Sequence, residues 1–531
     1  MNSKADDFNP AASRGFFGHP VGLSTLFATE MWERFSFYGI RPLLILFMTT
    51  AVMNGGFGFE RSQASAIVGI YASSVYLSSL PGGWIADRLF GLRRSIQYGA
   101  ILIMLGHVSI GLTSLMATQT PFFIGLILIV LGTGLLKPNI SAIVGDLYPE
   151  GGARRDAGFS IFYMGINTGA TAGQLFTGFF GEKVGYGWGF SIAAVGMLAG
   201  LIWYTLRAKA TLGDMGMEPT RLADPVAQQK RENQTRLVLI VGGALLAALV
   251  LLASLHIITI NPQVIGTYWA YFLGAIGVVY FLYIFTFGGL KGDEYKRVVV
   301  IGVLFVAAAI FWAAFEQAPT SLNLFAKDFT DRQWGSFEVP ALWYQSINSF
   351  FIIIFAPVFA AIWLWLGKKN INISSPFKFA LGLALAGIGF LVMIFPANML
   401  LAANGAIKVS GIWLTISYLF QTFAELSISP VGLSSMTKLS PRRYVGQMMG
   451  IWFLATSLGN IIAGLVGGSV DPEKLEQTPM LFTWTTIALF AAAVLLAILA
   501  IPIARMMRNV EDEKFVGVEP MGPAMETSRT V

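Results

Sequence analysis

Apolar runs of about twenty residues recur along this chain, separated by short stretches of charge, glycine and proline. The first covers about 21–52, and others lie near 62–86, 95–115, 121–145, 157–181 and 188–206. A bilayer core takes about 20 helical residues to cross, so these runs predict six membrane-spanning helices. A polar link at about 209–236, carrying Asp214, Glu218, Arg221, Asp224, Lys230, Arg231 and Glu232, breaks the pattern. Two runs follow it, near 237–257 and 265–289. Six more lie near 297–325, 339–366, 378–396, 410–437, 444–468 and 479–507, before a polar tail. The expected total is about fourteen helices.

Composition agrees with that reading and narrows the function. The chain is 55% hydrophobic and only 12% charged, with a mean hydropathy of +0.66, far from soluble usage; it is an integral membrane protein. The absence of cysteine excludes disulfides and thiolate metal sites. His19, His107 and His256 lie far apart, and neither a zinc-protease helix motif nor a nucleophile elbow occurs, so catalysis is not expected. ATP-driven transport is set aside for want of a phosphate-binding loop. The first twenty residues lack an apolar core, so no cleavable signal peptide is expected. Basic residues collect in alternate loops, at Arg88/Arg93/Arg94, Arg154/Arg155, Lys291/Lys296/Arg297, Lys368/Lys369 and Lys438/Arg442/Arg443, whereas 117–120 and 261–264 have none. The positive-inside rule therefore predicts both termini in the cytoplasm. Lys327 and Arg332, in the loop 327–338, are the exception, beside Asp328, Asp331 and Glu338.

Ionisable residues inside the spans are few. At about 100° per residue, Glu30, Glu33, Arg34, Phe37, Tyr38 and Arg41 share one arc of the first helix. Such a face must look into a bundle interior and find partners there. The remaining deep charges are Lys137, followed by Pro138; Glu316, near Pro319; and Glu425, near Ser429 and Pro430. Asn167 and Asn348 add amides able to meet a ligand's amine or peptide groups, and Tyr71, Tyr76 and Trp452 add aromatic surface.

Six helices, an inserted pair and six more resemble the plan of the major facilitator superfamily, in which each half divides into two three-helix repeats. The stretch from Gly83 to Arg94, with Asp87 beside Arg88 and Arg93, resembles that superfamily's loop motif and implies a breakable charge cluster where helices slide. With the insertion set aside, Lys137, Glu316, Glu425 and the first-helix cluster fall on the leading helix of every repeat, so they are expected to converge near the midplane. The implied organisation is an N-terminal bundle at 1–208, a linker and inserted pair at 209–294, a C-terminal bundle at 295–508 and a cytoplasmic tail at 509–531. The inserted pair reads as lipid-facing packing.

The motifs Glu30-x-x-Glu33-Arg34-Phe35-x-Phe37-Tyr38-Gly39, Gly134-Leu-Leu-Lys137-Pro138-Asn139, Phe162-Tyr163-x-x-Ile166-Asn167-x-Gly169 and Glu316-Gln317 together resemble the proton-dependent oligopeptide transporter family, prokaryotic type. The resemblance implies a proton symporter that imports di- and tripeptides or peptide-like drugs by alternating access through the cell (inner) membrane, as a monomer, with the proton as coupling ion and no cofactor or metal. It implies a basic pole of Arg34, Arg41 and Lys137 for the peptide carboxylate, and an acidic, amide-lined pole of Glu425, Asn167 and Asn348 for the amino terminus. Tyr38, Tyr76, Ser429 and Trp452 complete the implied substrate set. Glu316 with Arg41 forms the implied outer gate, Glu30 and Glu33 with Lys137 a second proton-sensitive network, and Asp87 with Arg88 an inner gate. One departure stands out: Phe37 replaces the first of two tyrosines, which removes a hydroxyl expected to reach substrate. The alternative is a carrier of another small anion or zwitterion, such as nitrate.

Overall fold

The computed structural model describes residues 9–516 except 12, 14, 117, 151, 256, 370 and 372. The apolar runs form α1 (Val21–Thr49), α2 (Arg61–Ile85), α3 (Leu92–Met116), α4 (Thr120–Asp146), α5 (Gly152–Phe179) and α6 (Tyr186–Leu212), followed by the inserted α7 (Pro225–Ser254) and α8 (Pro262–Phe287). The second half holds α9 (Glu294–Phe315), continued after a break by the short α10 (Asn323–Asp328), then α11 (Trp343–Lys368), α12 (Ser375–Ala402), α13 (Ile412–Leu439), α14 (Val445–Val466) and α15 (Gln477–Val516). With α9 and α10 taken as one broken span, the fifteen helices make fourteen spans of a major facilitator fold. We call the side from which α1 starts the terminal face and the other the distal face. On the distal face β2 (Gln333–Trp334) and β3 (Phe337–Glu338) form a small antiparallel hairpin, and β1 (Thr330–Asp331) pairs in parallel with β4 (Val409–Ser410).

Three long helices, α1, α5 and α13, lack a stretch apolar enough to cross a membrane on composition alone. They carry the charged and amide side chains of the interior, which lipid would not tolerate. Each of the four repeat-leading spans also contains a proline: Pro42 in α1, Pro138 in α4, Pro319 in the turn between α9 and α10, and Pro430 in α13. Proline removes a ladder hydrogen bond and frees a carbonyl. In α1 the Pro42 carbonyl oxygen itself accepts the Asn323 side-chain N–H at 2.7 Å, which ties the first half to α10. At Glu316 the helix stops; a π-helical turn at Ala318–Leu322 joins α9 to α10.

The halves meet along two seams. At one, a Cβ added to Gly464 of α14 would lie 2.5 Å from the Gly69 Cα of α2, so the helices touch backbone to backbone, as small residues in membrane helices allow. One turn further, the Ser73 and Ser457 hydroxyls are 2.8 Å apart. The other seam joins α5 to α11, where the Trp343 indole N–H donates to the Leu175 carbonyl at 2.9 Å. Among the described residues four ion pairs join the halves on the distal face: Arg61 with Asp328 (2.6 Å) and Asp471 (3.8 Å), Lys183 with Glu338 (3.2 Å) and Arg332 with Glu182 (3.3 Å).

Two expectations change. The polar link is shorter than its composition suggests, because α6 runs to Leu212 and α7 begins at Pro225. Asp224 caps α7 by accepting the Val226 and Ala227 N–H groups at 2.9 and 3.3 Å, and Pro225 occupies the first helical position, where its missing N–H costs nothing. Only Thr235 is buried among the described residues of α7, in keeping with a lipid-facing helix. Helix α8, by contrast, lies over the α2–α14 seam: the Trp269 indole donates to the Ser73 hydroxyl at 3.0 Å, and Gly266 faces Leu465 and Ile461 of α14. His256 lies outside the described residues, as does the expected tail beyond residue 516.

Candidate functional site

The polar face of α1 is buried as its periodicity requires: Glu30, Glu33, Arg34 and Arg41 are each at most 5% exposed. Its charges fall into two clusters stacked along the helix. Toward the terminal face, the Arg34 Nε lies 2.8 Å from Glu30 Oε1 and 2.6 Å from Glu33 Oε2. Toward the distal face, Arg41 Nη2 forms an ion pair with Glu316 and donates to the Asn460 side-chain oxygen at 2.6 Å. The Phe37 ring lies between the clusters, 5.4 Å from the Arg34 guanidinium and 6.0 Å from that of Arg41, close enough for cation–π attraction. Phe37 is 1% exposed and does not line the central cavity. The missing hydroxyl therefore removes nothing from the cavity wall; at this position the ring serves the two guanidiniums.

Beside the clusters is a cavity of about 120 Å³. Tyr38 and Arg41 of α1 and Tyr76 of α2 line one side, with Tyr163 and Asn167 of α5 next to them. The second half contributes Trp312 and Glu316, Gln345 and Asn348 of α11, and Tyr418, Gln421 and Glu425 of α13. Helix positions explain the polar orientations. The Asn167 amide N–H₂ donates to the Tyr163 carbonyl one turn back, at 3.0 Å. That of Asn348 donates across to the Thr422 hydroxyl at 3.0 Å, one turn from Glu425. Gln345 donates to the Tyr418 hydroxyl at 3.1 Å and to the carbonyl of Ala318 in the turn after α9. Glu425 Oε2 and Arg41 Nε are buried with no hydrogen bond among the described residues. Such groups carry a desolvation cost that a polar ligand or water can relieve.

The structure thus brings seven sequence-selected residues to one cavity: Tyr38, Arg41, Tyr76, Asn167, Glu316, Asn348 and Glu425. Arg34, Lys137, Ser429 and Trp452 are not on its wall. Arg34 is held by Glu30 and Glu33. The Lys137 ammonium sits 4.0 Å from the Tyr76 ring centroid, one side chain behind the wall, and makes no ion pair within 4.0 Å among the described residues; Glu30 and Glu33 lie near enough to interact with its charge, while the direct ion pairs to both carboxylates come from Arg34 in the same helix turn. Trp452 is 4% exposed, packed against Gly432 and Phe379. The Ser429 hydroxyl is buried without a hydrogen-bond partner among the described residues.

The α2–α3 turn is far from this cavity and differs from the expected charge cluster. Asp87 makes no ion pair with Arg88 or Arg93 among the described residues. The Asp87 carbonyl instead accepts the Thr220 N–H at 3.0 Å, and the Arg93 N–H donates to Gly216 at 2.9 Å; Arg88 stacks over Trp84 at 4.7 Å. The short link 213–224 has taken over the backbone groups of the turn. Sequence reading missed Asn460, Gln345, Tyr418 and Gln421. The available signal was a lone amide or hydroxyl deep in an apolar run, which more often serves a hydrogen bond between helices.

Comparison with known proteins places these observations in a family. The model of the POT family matches residues 93–210 and 275–481. The chain is similar to the peptide transporter YePEPT of Yersinia enterocolitica subsp. palearctica, with 47% identity over 95% of this chain and 99% of that one. It is also similar to the di-/tripeptide transporter of Lactococcus lactis subsp. cremoris, with 38% identity over 93% and 98% of the two chains. Among solved structures, the crystal structure of the peptide transporter POT in complex with sulfate superposes with a TM-score of 0.85 at 40% identity, covering 94% of this chain and 98% of that chain.

Proposed function

The chain belongs to the POT family, the proton-dependent oligopeptide transporters, and from that premise and the cavity's geometry we propose that it is a proton-coupled symporter importing di- and tripeptides and peptide-like compounds by alternating access. The observation that carries this reading is the Arg41–Glu316 pair, which joins the two halves on the wall of a cavity that also holds Glu425, Asn167 and Asn348. A short peptide is a zwitterion, and a cavity with a cation at one place and a carboxylate with amides at another selects it by charge separation. Arg41 receives the peptide carboxylate, with Lys137 behind Tyr76 and Arg34 held by Glu30 and Glu33 further along α1. Glu425, Asn167 and Asn348 receive the amino terminus.

Proton coupling follows from the same pair. Protonation of Glu316 removes the charge that holds Arg41, frees the guanidinium for substrate, and shifts the balance between the two states of the halves. The Glu30–Arg34–Glu33 group is a second place where a proton changes a salt bridge. The distal face is the outside, held closed by the ion pairs that join the halves there, and the termini are cytoplasmic. The protein works as a monomer in the inner membrane with no cofactor or metal, the proton being its coupling ion; it moves its substrate unaltered and is not an enzyme.

The test is uptake of a labelled dipeptide into proteoliposomes under an inward proton gradient. Glu316→Gln abolishes accumulation against the gradient and leaves exchange of peptide for peptide. Accumulation by Glu316→Gln at the parent level refutes the role of Glu316, and absence of uptake by the parent across a varied dipeptide panel refutes the function.

A further inference from the structure

The proton-sensitive junction contains a third member. Arg41 Nη2 donates to two acceptors, the Glu316 carboxylate and the Asn460 side-chain oxygen at 2.6 Å. Both acceptors belong to the second half of the molecule and the donor to the first. Asn460 is 2% exposed, and its own N–H₂ donates to the Thr456 carbonyl one turn back at 2.9 Å. That bond settles which end of the amide faces Arg41, since a flipped amide would set one donor against another. Its neighbour Gly459 packs on the backbone of Trp312 and Ala313 in α9, with a Cβ there falling 2.4 Å from Trp312 Cβ and 2.8 Å from the Ala313 nitrogen. Asn460 adjoins Gly459, and Glu316 follows Trp312 and Ala313 by four and three residues, so this contact fixes the two acceptors relative to each other.

From this arrangement we propose that Asn460 is a positioning residue for proton coupling: it holds Arg41 when Glu316 is neutral, and so lets Glu316 take up a proton. The argument rests on the reading of Glu316 as the coupling carboxylate. A buried guanidinium with no acceptor is costly, and Arg41 Nε already has none among the described residues. If Glu316 were its sole acceptor, protonation would leave Arg41 only the weaker bond of a neutral carboxyl oxygen, and the proton would bind only at higher concentration. With Asn460 present, the neutral state keeps a hydrogen bond that does not depend on pH. The amide also remains as a cross-half tether until a peptide carboxylate replaces it, so the proton alone weakens the gate and substrate completes its release.

The other ionisable groups around the junction are Arg34 and Tyr38 on α1, Tyr71 and Tyr76 on α2, Lys137 on α4 and Glu425 on α13. None hydrogen-bonds to Asn460 among the described residues, and on the α15 side the neutral Gln317 donates to the Thr485 hydroxyl at 3.2 Å. Replacing Asn460 by an apolar residue thus changes the partners of Arg41 and no other charge.

The experiment measures the pH dependence of gradient-driven dipeptide uptake in proteoliposomes for the parent and Asn460→Leu, which is close in shape and lacks the acceptor. The midpoint should move to lower pH by about one unit, a tenfold change in proton concentration, while peptide exchange at fixed acidic pH persists. Asn460→Ala provides a second, smaller replacement should the leucine variant not assemble, and it should move the midpoint in the same direction. A purely structural role would lower uptake at every pH with the midpoint unchanged, and that result overturns the proposal. Glu316→Gln separates the two readings: if it abolishes driven uptake while Asn460→Leu leaves the midpoint in place, only Asn460 has been misassigned. If Glu316→Gln keeps the parent pH profile, the coupling role of Glu316 fails and that of Asn460 with it.

Discussion

Glu182 offers the most direct test of how the distal face is held shut. It stands at the end of α5, in the first half, and all its partners belong to the second. Its carboxylate accepts the Ala341 N–H at 2.9 Å, the Leu342 N–H at 3.0 Å and the Arg332 guanidinium at 3.3 Å. The Glu182 and Arg332 side chains are only 11% and 9% exposed, so solvent screens this group less than a surface pair. Glu182→Gln keeps one carbonyl oxygen but turns an amide N–H₂ toward a backbone donor. Hydrogen bonds to charged groups are worth about 1.5–3 kcal/mol each; with one retained in weaker form, the closed distal face loses roughly 2–4 kcal/mol. At 1.4 kcal/mol per tenfold, that is a shift of roughly 25- to 700-fold toward the distally open state. An open state held by about 1% of molecules would rise to a fifth or more, by the same arithmetic.

Because the chain has no cysteine, two introduced ones can be labelled without background. Spin labels at Asn54→Cys, in the loop after α1, and Trp334→Cys, at the exposed tip of the hairpin (81% exposed), report the separation of the halves on this face by pulsed electron resonance. The parent should give one short distance, and Glu182→Gln a second, longer population of the size just derived. Superimposable distributions for the two proteins would refute the assignment of these contacts as the distal lock.

Two further substitutions probe the seam and the acidic wall. Gly464→Leu places a side chain where even a Cβ is 2.5 Å from Gly69 Cα, so α2 and α14 must part at a cost of about 1–3 kcal/mol; the melting temperature of the solubilised protein should fall, and an unchanged value would mean that this contact does not set the seam. Glu425→Gln should weaken competition by dipeptides with a free amino terminus about tenfold or more, the worth of a charge-assisted hydrogen bond, while leaving their N-acetylated forms unaffected; equal loss for both would remove Glu425 from amino-terminus recognition.

The spans were legible because lipid imposes one rule on every residue of a helix, and α2 to α4, for example, lie within a few residues of their apolar runs. The first-helix cluster was legible for the same reason: four charges on one arc had to face inward. What could not be read was pairing. Sequence spacing places Glu30, Glu33 and Lys137 in one region, yet it is Arg34, adjacent in chain to Glu33 and one turn from Glu30, that makes the direct ion pair with each carboxylate, while the Lys137 ammonium lies over an aromatic face. Local partners win because they need no helix–helix geometry to meet.

Hidden amides follow from the same limit. Asn460 looks like Asn167 and Asn348 in composition, an amide in an apolar helix, and differs only in what lies opposite. Its significance comes from Arg41, which is 419 residues away in the chain, and from a helix that stops at Glu316 because Pro319 follows it. The break sets the carboxylate at the end of α9, where one guanidinium reaches an ionisable acceptor and a fixed neutral one together. A junction with only a carboxylate would be an ion pair that resists protonation; one with only an amide would not sense protons. On the proposal above, the two acceptors together keep Arg41 bonded while the charge of Glu316 changes, and their juxtaposition becomes visible only when three helices are seen side by side.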